Sequence, residues 1–205
     1  YPFSTPELRD EIRHSFWLLN RVASAKALEK LLKKHDVFKG YTIVLAAGDG
    51  RSNDDTDPVA VGKSLGKVRA AIAEAEKSDG KSITLAVGQL TTGVTVPEWT
   101  AVIMLSDMTS PAQYMQAAFR AQNPCTFERA GHVFQKQNAY IFDFAPERML
   151  TIFDAFANNL HPNPPGDAGV RQENIRRLLN FFPVLGEDAE GRMIAGGVDR
   201  DIGEH

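Results

Sequence analysis

The stretch from residue 83 to residue 124 constrains the fold more than any other part of this 205-residue chain. It begins with a short apolar run that breaks into a loop of threonine and glycine, and continues with a fully apolar run of strand length, Ala101–Leu105. After Ser110 and Pro111, apolar side chains recur at helical spacing. A strand, a polar loop, a second strand and a helix in this order are typical of a parallel α/β sheet.

Apolar runs alternate with amphipathic segments through most of the chain. We therefore predict an α/β fold, with a mostly parallel open sheet of about five strands flanked by helices and a helical C-terminal extension. Further strands are predicted at Ser15–Leu19, Tyr41–Ala46 and Ala139–Phe144, and helices at Ala23–His35, after an acidic loop at 48–57, near Pro111, from Pro146, and at Val170–Phe182.

Three details of this prediction concern single segments. Leu31 is assigned to the apolar face of the helix Ala23–His35. The helix that begins at Pro146 is apolar nearly all round, so we expect it to be well buried. Residues 125–138 are mixed in composition and are predicted to be irregular. The predicted domains are a leading segment at 1–13, the main domain at 14–160, and a linker, helix and tail at 161–205.

Composition excludes several classes of protein. The chain is 43% hydrophobic and 24% charged, with a net charge of -3, which argues against coating nucleic acid by bulk charge. No apolar run approaches the roughly 18 residues of a membrane helix, so we expect no membrane partner. The single cysteine, Cys125, favours a cytoplasmic protein. The first residue is Tyr1 rather than Met, so we expect a piece of a longer protein.

Polar side chains follow two of the predicted strands. A loop of hydroxyls and glycine at 91–95 comes after the first, and Gln116 and Arg120 share one face of the helix after the second. Hydroxyl and backbone donors can bind phosphates, and ligands of parallel sheets bind at the carboxyl ends of strands. Taken separately, a plain turn and a solvated arginine are the commoner explanations.

Together these residues carry a resemblance. Thr-Thr-Gly-Val-Thr-Val-Pro at 91–97, followed by Gln116-x-x-x-Arg120, resembles motifs V and VI of superfamily 2 helicases, and most closely the helicase parts of restriction-modification enzymes. The resemblance covers roughly residues 14–145. It implies the C-terminal RecA-like domain of an ATP-dependent DNA helicase or translocase.

The resemblance also implies roles for single residues. Arg120 would be a catalytic finger that reaches the γ-phosphate and offsets the charge of phosphoryl transfer. ATP and Mg²⁺ would be bound mainly by an upstream RecA-like domain of the same chain, and DNA would be the polymer partner. Methylase or nuclease parts of a restriction system would be further partners. The implied nucleotide-binding residues are Gly93, Thr95, Gln116 and Arg120, and the implied nucleic-acid contacts are Thr91 and Thr92.

Two alternatives remain. Asn123 stands where the family usually has a second arginine, which favours a non-catalytic interaction module with a degenerate helicase fold; Arg129 is a nearby substitute. The second alternative is an unrelated doubly wound nucleotide-binding domain, for which Gly62-Lys63-Ser64 is the only support. A P-loop also needs a glycine where Asp57 stands, so the motif is incomplete. The acidic loop and the histidines show no metal-ligand spacing, so no metal site is predicted.

Overall fold

The computed structural model describes residues 2–47, 58–91, 93–129, 131–159, 166–181, 185–187 and 193–195. The predicted acidic loop at 48–57, Thr92, and most of the predicted linker lie outside these residues. The chain divides into two compact units, Tyr1–Phe144 and Ala145–His205, each of which is described by itself. The predicted domain bounds stay predictions.

The first unit contains four helices and seven strands within the described residues. The helices are α1 (Pro6–Glu11), α2 (Val22–Leu32), α3 (Pro58–Lys77) and α4 (Pro111–Ala118). The strands are β1 (His14–Leu19), β2 (Tyr41–Ala47), β3 (Lys81–Val87), β4 (Ala101–Leu105), β5 (Thr126–Arg129), β6 (His132–Gln135) and β7 (Tyr140–Asp143).

Five of these strands form one parallel sheet in the order β2-β3-β1-β4-β7. Leu19 at the end of β1 is level with Val87 on one side and Leu105 on the other, so the carboxyl ends of the strands lie along one edge. The predicted fold class, a mostly parallel α/β sheet of RecA-like arrangement flanked by helices, is confirmed.

Both faces of the sheet are covered. On one face Trp17, Ile83 and Ile103 form a buried cluster that includes Leu32 of α2. On the other face Phe16 contacts Trp99, with ring centroids 4.6 Å apart. Alternate side chains of β1 therefore enter two different cores, which explains why its sequence reads as a continuous buried run rather than an alternating one.

The hairpin formed by β5 and β6 was not predicted. The expectation that residues 125–138 are irregular is wrong, because Thr126–Arg129 pairs antiparallel with His132–Gln135. Charged and polar residues interrupt both strands, and all four residues of β6 are exposed. A two-stranded ribbon outside the main sheet needs no buried face, so it leaves no apolar alternation in the sequence.

Two predicted burials are wrong. Leu31 and Leu32 are both predicted on the apolar face of α2, but Leu31 is 66% exposed and only Leu32 is buried. In the second unit Leu150 is 58% exposed, whereas Ile152 and Phe153 are buried. The helix from Pro146 is therefore amphipathic, because only one of its faces packs against other residues.

The described part of the second unit contains helices and two short strands. α5 (Pro146–Asp154) continues into a π-helical turn at Ala155–Asn159, and α6 spans Ala168–Phe181. Arg171 of α6 pairs with Asp154 at 2.6 Å. Two short antiparallel strands follow, β8 (Leu185–Glu187) and β9 (Met193–Ala195). None of the helices in the described ranges combines the length and apolar character needed to span a bilayer.

Candidate functional site

The carboxyl edge of the sheet has a point where the connections diverge. From β1 the chain passes through α2 toward β2, whereas from β4 it passes through α4 toward β7 on the other side. Adjacent strands whose connections run in opposite directions open a crevice that parallel α/β proteins use for ligands. At this point the backbone N–H of Asp107 donates to Oδ1 of Asn20 at 2.9 Å.

The loop after β3 is held at its start by a buried polar contact. The side chain of Gln89 is fully buried, and its Oε1 accepts from the hydroxyl of Ser64 in α3 at 2.5 Å. Leu90 follows with φ 65°, a left-handed conformation that costs a non-glycine residue about 1–2 kcal/mol. Its side chain is 2% exposed, so burial in the core offsets that cost.

Four of the predicted site residues belong to this loop. Val94 and Val96 are buried. Thr95, which lies between them, and Gly93, which precedes Val94, are exposed. The two valines therefore anchor the segment and leave the intervening positions open to a ligand. Gly93 has φ 69°, which glycine adopts without strain. Thr91 donates from its hydroxyl to the Gly88 oxygen at 3.4 Å, and Thr92 is not among the described residues.

Helix α4 presents Gln116 on its outer side. It begins after Ser110, whose hydroxyl accepts from the Gln113 N–H, with Pro111 at the first helical position. Tyr114, Met115, Ala117 and Ala118 are buried. The exposed face of α4 therefore carries Gln116. After the helix the chain forms a 3₁₀ turn at Phe119–Ala121, which contains Arg120.

Arg120 connects the helix to the loop. Its Nε donates to the Gln116 oxygen at 3.0 Å, and its Nη1 donates to the Val94 oxygen. Burial lowers the pKa of the Arg120 guanidinium, but from an ordinary value so high that the group stays charged. The structure therefore brings together the two sequence segments that carry the predicted site.

Asn123 forms a hydrogen bond at the end of the same turn. Its Nδ2 donates to the Arg120 backbone oxygen at 3.3 Å. The side chain thus acts as a cap for the end of the turn. The side chain of Arg129, the suggested substitute for a second arginine, lies outside the described residues.

Lys136 is a cation that sequence reasoning missed, and it contacts both the segment that leads into β4 and the end of the turn that carries Arg120. It follows β6 and is half-buried, and its Nζ donates to the main-chain oxygens of Pro97, Trp99 and Ala121. Burial lowers the pKa of the Lys136 ammonium. No local pattern could have indicated this residue, since its partners are backbone atoms of distant segments.

Gly62-Lys63-Ser64 does not form a P-loop. It lies within α3, which begins at Pro58, so no strand leads directly into it. Lys63 is exposed, and the hydroxyl of Ser64 is directed to Gln89. A P-loop instead turns from a buried strand into the first turn of a helix. The segment therefore offers no phosphate cradle.

A second polar cluster lies at the opposite, amino edge of the sheet. His14 is fully buried, with Nδ1 2.8 Å from the Ser82 hydroxyl and Nε2 2.6 Å from Oε1 of Glu76. A shallow depression of about 270 Å³ adjoins it, lined in part by Glu98 and Phe127. Across the described part of the chain, no three His, Cys, Asp or Glu side chains are grouped so that they could hold a metal ion.

Comparison with known proteins gives one relative by sequence. No protein-family model matches the chain. A protein of Mycoplasma pneumoniae, named as the C-terminus of a type II restriction enzyme and methyltransferase, is 27% identical over 183 residues. This alignment covers 88% of the present chain and 24% of the relative, so the chain spans about a quarter of that protein. The relative agrees with the resemblance drawn from residues 91–97 and 116–120.

Solved structures with a similar course of the chain include the C-terminal parts of two other proteins. The C-terminal part of the Fun30 ATPase domain has a TM-score of 0.41 at 14% identity, covering 85% of this chain and 50% of that one. The C-terminal domain of the DEAD-box protein Dbp5 has a TM-score of 0.43 at 17% identity, covering 82% and 83%. At these scores the assignment of the fold depends on the parallel sheet described above.

Proposed function

We propose that this chain is the C-terminal motor half of an ATP-dependent DNA helicase or translocase that belongs to a restriction-modification enzyme. The observation that carries the proposal is the contact between Arg120 and Val94, which joins the Thr/Gly loop to the segment that contains Gln116 and Arg120. The name of the Mycoplasma relative supports the restriction context.

In the proposed reaction Arg120 acts on the γ-phosphate of ATP. Its planar guanidinium can offset the negative charge that develops during phosphoryl transfer. In the structure, two nitrogens of the Arg120 guanidinium donate to main-chain oxygens. A phosphate oxygen is a charged and therefore stronger acceptor than a carbonyl, so Arg120 would exchange Val94 for the nucleotide when the cleft is complete.

The Thr/Gly loop would contact both the nucleotide and the DNA. Gly93 and Thr95 are exposed on either side of Val94, where hydroxyl and backbone donors can reach nucleotide phosphates. Gln116 is exposed one helical turn before Arg120 and would contact the nucleotide from the helix. Thr91 and Thr92 would contact the nucleic-acid backbone. These roles complete the proposed set of binding residues.

The rest of the nucleotide site is assigned to an upstream domain of the same protein. Within the described residues, α3 offers no phosphate cradle and no group of side chains suits a metal ion. The proposal therefore places the phosphate cradle and the Mg²⁺ ligands upstream. Bound Mg²⁺ would neutralise charge on the β- and γ-phosphate oxygens.

A second candidate function is a non-catalytic interaction module. The observation in its favour is that Asn123 replaces a second arginine and caps the turn with its amide, which supplies no charge to a phosphate. This candidate keeps the sheet and the loop-to-helix contact as structural features only. It predicts binding of partner proteins without turnover of ATP.

ATP hydrolysis by the intact protein that contains this chain separates the two candidates. The motor proposal predicts turnover that double-stranded DNA stimulates, together with ATP-dependent displacement of a third strand from a triplex on linear DNA. Absence of ATP turnover with and without DNA, in a protein whose upstream phosphate cradle is intact, would contradict the motor proposal and favour the interaction module. Hydrolysis without displacement would contradict translocation alone.

A further inference from the structure

Lys136 has every donor of its ammonium group engaged by backbone oxygens. The distances from Nζ are 2.8 Å to Pro97, 3.0 Å to Trp99 and 2.8 Å to Ala121. An ammonium has three donors and no acceptor, so three oxygens saturate it. An arginine fork, with its planar and outward-directed donors, does not match three oxygens that converge on one point.

The three oxygens belong to the two segments that carry the candidate site. Pro97 and Trp99 lie in the connection between β3 and β4, directly after the Thr/Gly loop. Ala121 is the last residue of the 3₁₀ turn that contains Arg120. Lys136 reaches them because its own N–H donates to the Cys125 oxygen at 2.9 Å, closing the base of the β5–β6 hairpin.

Two cations therefore join the same two segments in different ways. Arg120 belongs to the helical segment and reaches across to Val94, so its contact ends when the guanidinium turns to a phosphate. Lys136 belongs to neither segment and holds both through backbone atoms alone. Its contacts can persist whatever the position of the Arg120 side chain.

We propose that Lys136 is a positioning residue that keeps the Thr/Gly loop in register with the turn carrying Arg120 while Arg120 leaves Val94 for the nucleotide. The inference rests on the proposed motor function. Lys136 does not touch the nucleotide; it sets where the Arg120 backbone stands relative to Thr95. Half-burial of a lysine that has no carboxylate among its three acceptors fits this role, because the converging carbonyls compensate for its lost hydration.

The test uses the intact protein and separates turnover from ATP binding. Lys136→Met keeps the length of the side chain and removes the donors, Lys136→Arg keeps the charge, and Lys77→Met is the matched control. Lys77 is 73% exposed and pairs only with Glu74 of its own helix among the interactions described. We expect kcat of DNA-stimulated ATP hydrolysis to fall about tenfold or more in Lys136→Met, since small misplacement of a catalytic group can cost up to about 100-fold. KM for ATP should change less than about threefold, because Lys136 does not touch the nucleotide. The kcat of Lys136→Arg should also stay low.

Other outcomes contradict the inference. Turnover of Lys136→Met within about twofold of wild type, or full recovery in Lys136→Arg, would overturn it. If Lys136→Met does not fold, Lys136→Gln decides, because its amide has only two donors and cannot hold all three oxygens. Normal kcat in that variant would also overturn the inference. Failure of the proposed function is a separate result: wild type would then show no DNA-stimulated hydrolysis, and Arg120→Ala would not differ from it.

Discussion

Arg120 donates from its guanidinium to the backbone oxygen of Val94, a residue 26 positions earlier in the chain. The contact joins the loop that follows β3 to the turn that follows α4. Backbone acceptors impose no requirement on the identity of residue 94, so the contact depends on the fold and on Arg120 alone. It places the cation beside the exposed Thr95 without committing it to a carboxylate.

Replacement of Gly93 should act through backbone conformation. A Cβ added at Gly93 meets no atom within 4 Å, but φ is 69°. Gly93→Ala should therefore destabilise the loop by about 1–2 kcal/mol, and Gly93→Asn by less, because asparagine enters the left-handed region more readily. Urea denaturation of the two variants measures the difference. Equal stability of Gly93→Ala and wild type would contradict the assigned conformation.

Neighbouring residues of α3 should respond differently to alanine. Ser64 is buried against Gln89, so Ser64→Ala should cost about 1 kcal/mol of unfolding free energy. Lys63 is exposed within the same helix, so Lys63→Ala should change neither stability nor ATP turnover. Denaturation and hydrolysis assays on both variants check this pair. Loss of ATP turnover in Lys63→Ala would restore the P-loop alternative.

Two tyrosines should titrate late. Burial raises the pKa of Tyr140 to about 12, with a hydrogen bond to Glu11 as a second cause, and burial raises the pKa of Tyr41 to about 12. Because the folded pKa exceeds the ordinary value of 10, the folded state holds the protons more tightly. Stability from these groups is complete below pH 10 and is lost as pH rises toward 12.

Phenolate absorbance of the folded protein checks the late titration. Tyr140→Phe should remove one late-titrating group, and Glu11→Gln should lower the pKa of Tyr140 by removing the neighbouring charge. Titration of all tyrosines near pH 10 in protein that is still folded would show that Tyr41 and Tyr140 are hydrated like model phenols.

Asn123 should matter little for catalysis. Its amide contacts the Arg120 backbone and carries no charge. Asn123→Ala in the intact protein should reduce ATP turnover by less than about fivefold, since only a single neutral hydrogen bond near 3.3 Å is lost. Steady-state hydrolysis measures it. A collapse of turnover in Asn123→Ala, with Arg120→Ala near normal, would reassign the roles of the two residues.

The parts of the fold that local sequence determines were predictable. Ala101–Leu105 is apolar throughout and is flanked on both sides by strands, so its strand was predicted at its observed bounds. Features that depend on distant partners were not. Lys136 reads as one more surface lysine until the hairpin places it against three carbonyls. Leu31 and Leu32 both read as core residues, and the structure buries only Leu32 of the two.

The candidate site divides in the same way. Residues 91–95 and 116–120 could be picked out because they follow two strands and because their order resembles known motifs. The direct contact between Arg120 and Val94 could not be predicted, since it depends on how the fold brings together two segments 26 residues apart. The roles of Gly93, Thr95, Gln116 and Thr91 stay predictions.

The most direct test of the central claim is ATP turnover by Arg120→Ala in the intact protein, at saturating ATP and DNA, beside its measured affinity for ATP. The matched control is Arg176→Ala, because Arg176 is 66% exposed and pairs with Glu173 on α6. A finger acts on charge in the transition state, so we predict a fall in turnover on the order of 10³ with little change in ATP affinity, and no rescue by Arg120→Lys. Turnover of Arg120→Ala close to that of wild type and of Arg176→Ala would contradict the account.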